Sequence, residues 1–200
     1  MNIILASQSP RRLSLLQSAG FLVQVCPSHI DETALAGEST KDMTLRLCKE
    51  KAAAFAFTND EVATPVIAAD TLVAVGDEAL GQPNDLIEAK GMIQKLSGKQ
   101  HQVYTAVCVR VGDIYKAAVV TTSVSFRMIC NDEIDIYLQH NDILDKAGAY
   151  AIQGGASSFI TGIDGCLDNV IGLPVAQTKA LLHAALFEAA QEKTELVVGV

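Results

Sequence analysis

An α/β fold with a mixed sheet is predicted by three features of the chain. Short apolar runs alternate with segments of helical periodicity from one end to the other. The chain opens on Ile3-Ile4-Leu5-Ala6, followed at once by Ser7-Gln8-Ser9-Pro10-Arg11-Arg12, which reads as a strand, a sharp turn and a helix start. Further on, Gly112-Asp113 separates two long strand-like runs, Val103–Val111 and Ile114–Phe126, and marks a hairpin. A hairpin requires an antiparallel pair, so the sheet is mixed and a simple dinucleotide-binding βαβ unit does not fit.

The elements follow in order. A strand is expected near 2–6, a helix near 10–19 and a strand near 22–26. A loop carrying Asp31-Glu32 leads to a helix near 40–57, with Met43, Leu47 and Ala54 along one side and Arg46, Lys49 and Glu50 left to solvent or a cleft. A strand near 65–75 and a helix near 85–97 come next, closed by Gly98 as a C-cap. The two long strands are expected near 101–111 and 114–127, then a helix near 131–140, a loop and strand region to about 165, and a final helix near 174–191. Thr194–Val200 is apolar and short, and reads as a frayed tail.

The first helix start carries a chemical signal. Ser9 suits the N-cap and Pro10 the first helical position, so Arg11 and Arg12 fall where the macrodipole disfavours cations by about 0.3–1 kcal/mol each. An anion bound at the same helix end removes the conflict, and a phosphate site is therefore expected there.

Composition bounds the partners. The 200 residues, 50% hydrophobic and 19% charged, suffice for one domain with a substantial core or two closely joined lobes. With 15 Lys+Arg against 23 Asp+Glu, the net charge of −8 gives no general attraction for nucleic acid. A phosphate ligand thus needs a local basic cluster or a divalent metal. No apolar run reaches bilayer length and no signal-like start is present, so no membrane association and a cytoplasmic location are expected. Cys26, Cys48, Cys108, Cys130 and Cys166 are odd in number and widely spaced, which argues for reduced thiols, mostly packed. The histidines His29, His101, His140 and His183 lack metal-ligand spacing and read as structural or exposed. Leu96-Ser97-Gly98-Lys99 lacks the leading glycine of a P-loop.

Further constellations carry chemistry. Val66-Ile67-Ala68-Ala69 runs into Asp70-Thr71, placing a carboxylate and a hydroxyl at or near the carboxyl end of a buried strand, where open α/β sheets bind ligands. A carboxylate inside an apolar run costs free energy unless it is paired or metal-bound. Asp31-Glu32, with Asp70, supplies the hard oxygens that Mg²⁺ prefers, although alone the pair reads as solvated surface. Lys51 sits late in its helix, where a cation also suits the dipole. The segment from Asp145-Lys146 through Tyr150 to Gln153-Gly154-Gly155-Ala156 joins a charge pair, small residues and an amide able to read a base edge.

Taken together, these segments resemble the Maf family of nucleoside triphosphate pyrophosphatases. The resemblance is carried by Ala6 to Arg12, Asp31-Glu32, Lys51-Ala52, Ala68-Ala69-Asp70-Thr71, Leu96-Ser97-Gly98 with His101 to Val107, Asp145 to Gly154, and Asn169-Val170-Ile171-Gly172-Leu173-Pro174, in order from residue 2 to about 185. It implies one domain over 1–200, an elongated mixed sheet flanked by helices, with two lobes around a central cleft, similar to the inosine triphosphate pyrophosphatase fold. It also implies metal-dependent hydrolysis, with Mg²⁺ or Mn²⁺, of nucleoside triphosphates to monophosphate and pyrophosphate. Asp-Lys-Ala-Gly-Ala-Tyr followed by Ile-Gln-Gly resembles the branch acting on dTTP and UTP; the branch acting on 7-methyl-GTP has a different sequence here. Asp70 corresponds to the family's proton acceptor, Arg12, Thr71 and Gln153 to positions governing substrate choice, and Ser7, Glu32 and Lys51 to other cleft positions. Removal of modified nucleotides and a homodimer are further implications. One departure is Gln82 in Gly81-Gln82-Pro83, where the family usually has lysine.

The expected mechanism has Arg11, Arg12, Lys146 and the first helix N-terminus holding the triphosphate. Glu32 and Asp70 hold the metal, Lys51 acts beside them, and Asp70 orients and deprotonates a water; one carboxylate does not serve as both tight metal ligand and free base, and the role of base or water-orienter ranks first for Asp70. Two rivals remain from the sequence. One is a catalytically weak nucleotide-binding regulator of cell division, supported by Gln82. The other is a phosphatase using Asp70 as covalent nucleophile, for which the second carboxylate expected two residues on is replaced by Leu72.

Overall fold

In a computed structural model, which describes residues 1–57, 64–76 and 78–198, the chain forms a seven-stranded mixed sheet covered by helices on both faces. The strands are β1 (Asn2–Leu5), β2 (Leu22–Val25), β3 (Val66–Val75), β4 (Glu78–Leu80), β5 (Gln100–Val111), β6 (Ile114–Phe126) and β7 (Ile160–Asp164). The helices are α1 (Pro10–Ser18), α2 (Thr40–Ala53), α3 (Leu86–Leu96), α4 (Asn131–His140), α5 (Leu167–Ile171) and α6 (Val175–Val198). Their order across the sheet is β2-β1-β3-β5-β6-β7, with β4 also on β3. β1 runs parallel to β2 and β3, and every other pairing is antiparallel. The hairpin turn falls where expected, with Val111 opposite Ile114 and Gly112 at φ 58°.

Side-chain alternation along β1 and β3 builds two cores. Ile3, Leu5, Ile67 and Ala69 face α1 and α6 and pack with Leu16, Leu173 and Leu182. Ile4, Ala6, Val66 and Ala68 face the other way, onto Cys48 and Ala52 of α2. A third core gathers α3, α4 and the far ends of β3, β5 and β6 around Val73, Ile93, Val103, Phe126 and Ile134. β3 and β5 run through all three regions and join them.

The edge pairing of β3 locates the cleft. β5 occupies one edge from Val66 to Ala74. The other edge is shared: β1 pairs only with Val66 and Ile67, and β4 only with Val73 to Val75. Between these two short partners the edge from Ala68 to Leu72 is left open, with Asp70 at its centre. Asp70 therefore lies in mid-strand, not at the strand's carboxyl end as the sequence suggests; it is β1, not β3, that ends beside it.

Several boundaries depart from expectation. α2 stops at Ala53, short of residue 57, because Arg110 of β5 donates to the carbonyls of Ala52, Ala53 and Phe55 at 3.3, 3.3 and 2.9 Å and stacks on Phe57 at 4.5 Å. Its buried residues are Thr44, Leu47, Cys48 and Ala52; Met43 is half-buried and Ala54 is exposed. β4, α5 and the short 3₁₀ turns Ala147–Ala149 and Gly155–Phe159 are too brief for a periodic signal. α6 continues through the expected frayed tail to Val198, and the last two residues of that tail lie outside the described residues. The five cysteines are free; Cys48 and Cys108 are buried, Cys130 is exposed, and the others are half-buried.

Candidate active site

Above the open edge of β3 lies a cleft of about 430 Å³. Eight of the nine site residues expected from sequence line it: Ser7, Arg11, Arg12, Glu32, Lys51, Thr71, Lys146 and Gln153. Asp70 lies just behind this lining, 5% exposed. Because successive strand residues point to opposite faces, Asp70 turns toward α2 and Thr71 toward α1. Only a cleft at a strand's open edge can serve both.

Lys51, in the last turn of α2, donates to Asp70 Oδ1 at 2.6 Å and pairs with Glu32 Oε1 at 2.8 Å. The ammonium thus holds a buried carboxylate and an exposed one together. Asp70 Oδ2 is buried and has no hydrogen-bond partner. Glu32 is carried by a loop that Arg46 fastens to α2, donating to Glu38 Oε1 at 2.7 Å and to the Thr33 carbonyl at 3.0 Å. Arg46 is therefore a loop anchor and not a cleft group. Asp31 does not join the site: its Oδ1 accepts from the Thr33 amide and hydroxyl in a local turn. Cys48 is packed nearby and donates to the Ala68 carbonyl at 3.4 Å, and burial pushes its thiol well above the ordinary range, so it is no nucleophile.

The first helix start forms as expected. Ser9 caps α1, accepting from the Arg12 amide at 3.5 Å, and Pro10 opens the helix. The arginines, however, are tied to the protein. Arg12 donates through Nε to the Gly172 carbonyl at 2.9 Å, and through its terminal nitrogens to Ser7 Oγ at 3.0 Å and Thr71 Oγ1 at 3.1 Å. This guanidinium is a rigid fixture with two of its five N–H groups left over. Burial pulls its pKa below the ordinary value against the opposing pull of Asp70, and it stays charged. Arg11 reaches Asp145 at 3.5 Å.

The opposite wall comes from the turn after α4. Lys146 bonds the Asp142 carbonyl and Asp145 Oδ1, and Gln82 Nε2 donates to the Asp145 carbonyl at 3.1 Å. Burial raises the Asp145 pKa, but the hydrogen bond and charge of Lys146, with Arg11, outweigh it and the carboxyl titrates below its ordinary value. Gly148 at φ 69° and Ala149 at φ 59° then turn the chain and bury Tyr150 beneath the cleft. Gln153 is exposed at the rim. Around the cleft four cations, Arg11, Arg12, Lys51 and Lys146, face three carboxylates, Glu32, Asp70 and Asp145. This cationic excess sits in a chain of net charge −8.

His29 is exposed, as expected, and it also lies in the cleft lining beside Ser28, which the sequence did not indicate. Sequence reasoning also passed over Thr105 and Asn169 as contributors beneath the site. A lone histidine in a loop and hydroxyls inside strands leave no spacing signal. The remaining histidines are as expected too: His101 is buried, His140 and His183 are exposed.

The family model for Maf-like proteins matches residues 2–185. A protein of Anaeromyxobacter dehalogenans strain 2CP-1 is 44% identical over 189 residues, covering 92% of this chain and 94% of its own, and bears the name dTTP/UTP pyrophosphatase. Proteins of the same name from Myxococcus xanthus and Vibrio cholerae are 43% and 41% identical, covering 92% and 90% of this chain and 92% and 96% of their own. With motifs in order, a single continuous match and relatives aligned over nearly their whole length, the chain belongs to the Maf family.

Proposed function

We propose that this protein is a nucleoside triphosphate pyrophosphatase that hydrolyses dTTP and UTP to the monophosphate and pyrophosphate. The names of its relatives support the reaction. The observation that carries the reading locally is the buried Asp70 carboxylate, unpartnered at Oδ2 and held by Lys51 at the open edge of β3, next to a cation-lined cleft.

In this reading Arg11, Lys146 and the spare N–H groups of Arg12 bind the triphosphate, and Asp70 orients a water and takes its proton. The water oxygen attacks the α-phosphorus in line, the bond to the α–β bridging oxygen breaks, and that oxygen leaves with pyrophosphate. Lys51, 2.6 Å from Oδ1, holds Asp70 aimed, and Gln153 at the rim faces the base. A buried, unpartnered carboxylate oxygen beside an exposed second carboxylate suits a hard cation that shares its shell with phosphate and water. Asp70 and Glu32 would hold it; among the described residues no group of three or more His, Cys, Asp or Glu forms a self-sufficient cage. Mg²⁺ or Mn²⁺, when bound, supplies charge neutralisation for the polyphosphate.

The testing experiment measures pyrophosphate release from dTTP, UTP, CTP, GTP and 7-methyl-GTP, with Mg²⁺, Mn²⁺ or a chelator. Metal-dependent release from dTTP and UTP is expected, despite Gln82 in place of lysine. Release of orthophosphate would point instead to phosphatase chemistry, and nucleotide binding without release to a non-catalytic binder.

A further inference from the structure

Beneath the cleft, a chain of hydrogen bonds has a direction that can be read from its end. The carbonyl of Asn169, in the short helix α5, accepts from Thr105 Oγ1 at 2.9 Å. A carbonyl cannot donate, so the Thr105 proton is committed there. Thr105 Oγ1 also lies 3.0 Å from Thr71 Oγ1, its register partner across β3 and β5. With the Thr105 proton spent, Thr71 must be the donor in that bond. Thr71 meanwhile accepts from Arg12 at 3.1 Å. Its proton points into the sheet, and what remains for the cleft is a lone pair.

The hydroxyl on the other side of the same guanidinium has the opposite character. Ser7 Oγ accepts from the Ser9 amide at 3.2 Å and from Arg12 at 3.0 Å, which uses both of its lone pairs and leaves its proton free. Ser7 and Thr71 both line the cleft. Ser7 suits a phosphate oxygen, whereas Thr71, acceptor against acceptor, does not.

Resting on the pyrophosphatase reading, we infer that Thr105 is a positioning residue that makes Thr71 a hydrogen-bond acceptor, so that Thr71 recognises a donor on the nucleoside, the sugar hydroxyl or the base imide N–H, and not the triphosphate. Thr105 and Asn169 are buried, and Asn169 Nδ2 is fixed by Val103 O and Thr122 Oγ1, both at 3.0 Å. Reversing the chain would strip a buried carbonyl at a helix end of its donor. The polarity of Thr71 is therefore set by the fold before any ligand arrives.

The test compares KM for UTP, 3′-deoxy-UTP and N3-methyl-UTP in the unaltered protein and in Thr105→Val, Thr105→Ser and Thr71→Val. One analogue, the one lacking the donor that Thr71 accepts, is expected to show KM raised about tenfold, the scale of one hydrogen bond; the other behaves as UTP, which identifies the source. Thr105→Val frees the Thr71 proton, so that the hydroxyl can meet the substrate as donor or acceptor, and is expected to lower the discrimination to about threefold, while Thr105→Ser retains it. If Thr105→Val does not fold, Thr71→Val carries the comparison from a half-buried position: UTP loses about tenfold and the donor-lacking analogue loses nothing further. Equal KM for all three nucleotides in the unaltered protein, or full discrimination in Thr105→Val or Thr71→Val, overturns the inference alone. No pyrophosphate from UTP or dTTP in the unaltered protein overturns the pyrophosphatase reading and this inference with it.

Discussion

Asp70 is a carboxylate in an apolar strand, and its cost is met by one residue. Lys51 supplies the opposing charge at 2.6 Å, in a pair whose side chains are 7% and 12% exposed. Removing one member of such a pair leaves an uncompensated buried charge, typically about 3–5 kcal/mol, but Asp70→Asn keeps an oxygen for Lys51, whose ammonium is still opposed by Glu32 at 2.8 Å. Asp70→Asn is therefore expected to leave the denaturation midpoint nearly unchanged while pyrophosphate release falls by about 10²–10⁴-fold, the range of a lost general base. Retained turnover would remove Asp70 from the role of base. At this scale the sequence was informative about which residues converge and silent about their partners. Ser7, Arg12, Lys51 and Thr71 were visible as chemistry-bearing types beside turns and strand interruptions. That Arg12 spends three donors on Gly172, Ser7 and Thr71 was not visible, because those contacts span up to 160 positions of chain.

At the scale of elements, strands and long helices were legible from periodicity, and their ends were legible only where the stop is local. α1 begins at its own Ser9 and Pro10, and α3 ends beside its own Gly98 at φ 68°. α2 ends because Arg110 of another element caps it, which no local pattern records. α5 is likewise held from outside, through Asn169 on Val103 and Thr122. Gly165, between β7 and α5, has φ 129°, and a Cβ there would meet Thr122 Oγ1 at 2.8 Å and Thr122 Cα at 3.1 Å. Thr122 Oγ1 accepts from the Cys166 amide at 3.0 Å and from Asn169 Nδ2, so it has little room to yield. Gly165→Ala combines backbone strain with overpacking and is expected to destabilise the protein by about 1–3 kcal/mol, read from urea denaturation. An unchanged midpoint would mean that α5 is free to move away from the sheet.

Over the whole molecule, a buried histidine adds an acid-sensitive group to the core that joins the far ends of β3 and β5 to α3 and α4. His101 is 1% exposed there, with Nε2 2.8 Å from the Tyr150 hydroxyl and edge-to-face contacts to Phe126 and Tyr150. Burial disfavours its cation and pulls its pKa from 6.5 down to about 4, and pushes the Tyr150 hydroxyl upward. Above pH 6.5 the imidazole is neutral in both folded and unfolded chains and contributes no pH dependence. As pH falls from 6.5 toward 4, the unfolded chain takes up a proton that the folded one refuses, and stability is lost, reaching roughly 3 kcal/mol at the low end. Tyr150 also lines the cleft, so His101 is bonded to a residue that borders the site as well as the core. His101→Gln keeps a polar partner for the Tyr150 hydroxyl without a titrating group. Urea denaturation at pH 7 and pH 4.5 should therefore show the unaltered protein losing roughly 2–3 kcal/mol more than His101→Gln over that interval. Equal losses would assign the acid sensitivity to carboxylates, whose own contributions fall away with acid in both proteins and cancel from the comparison.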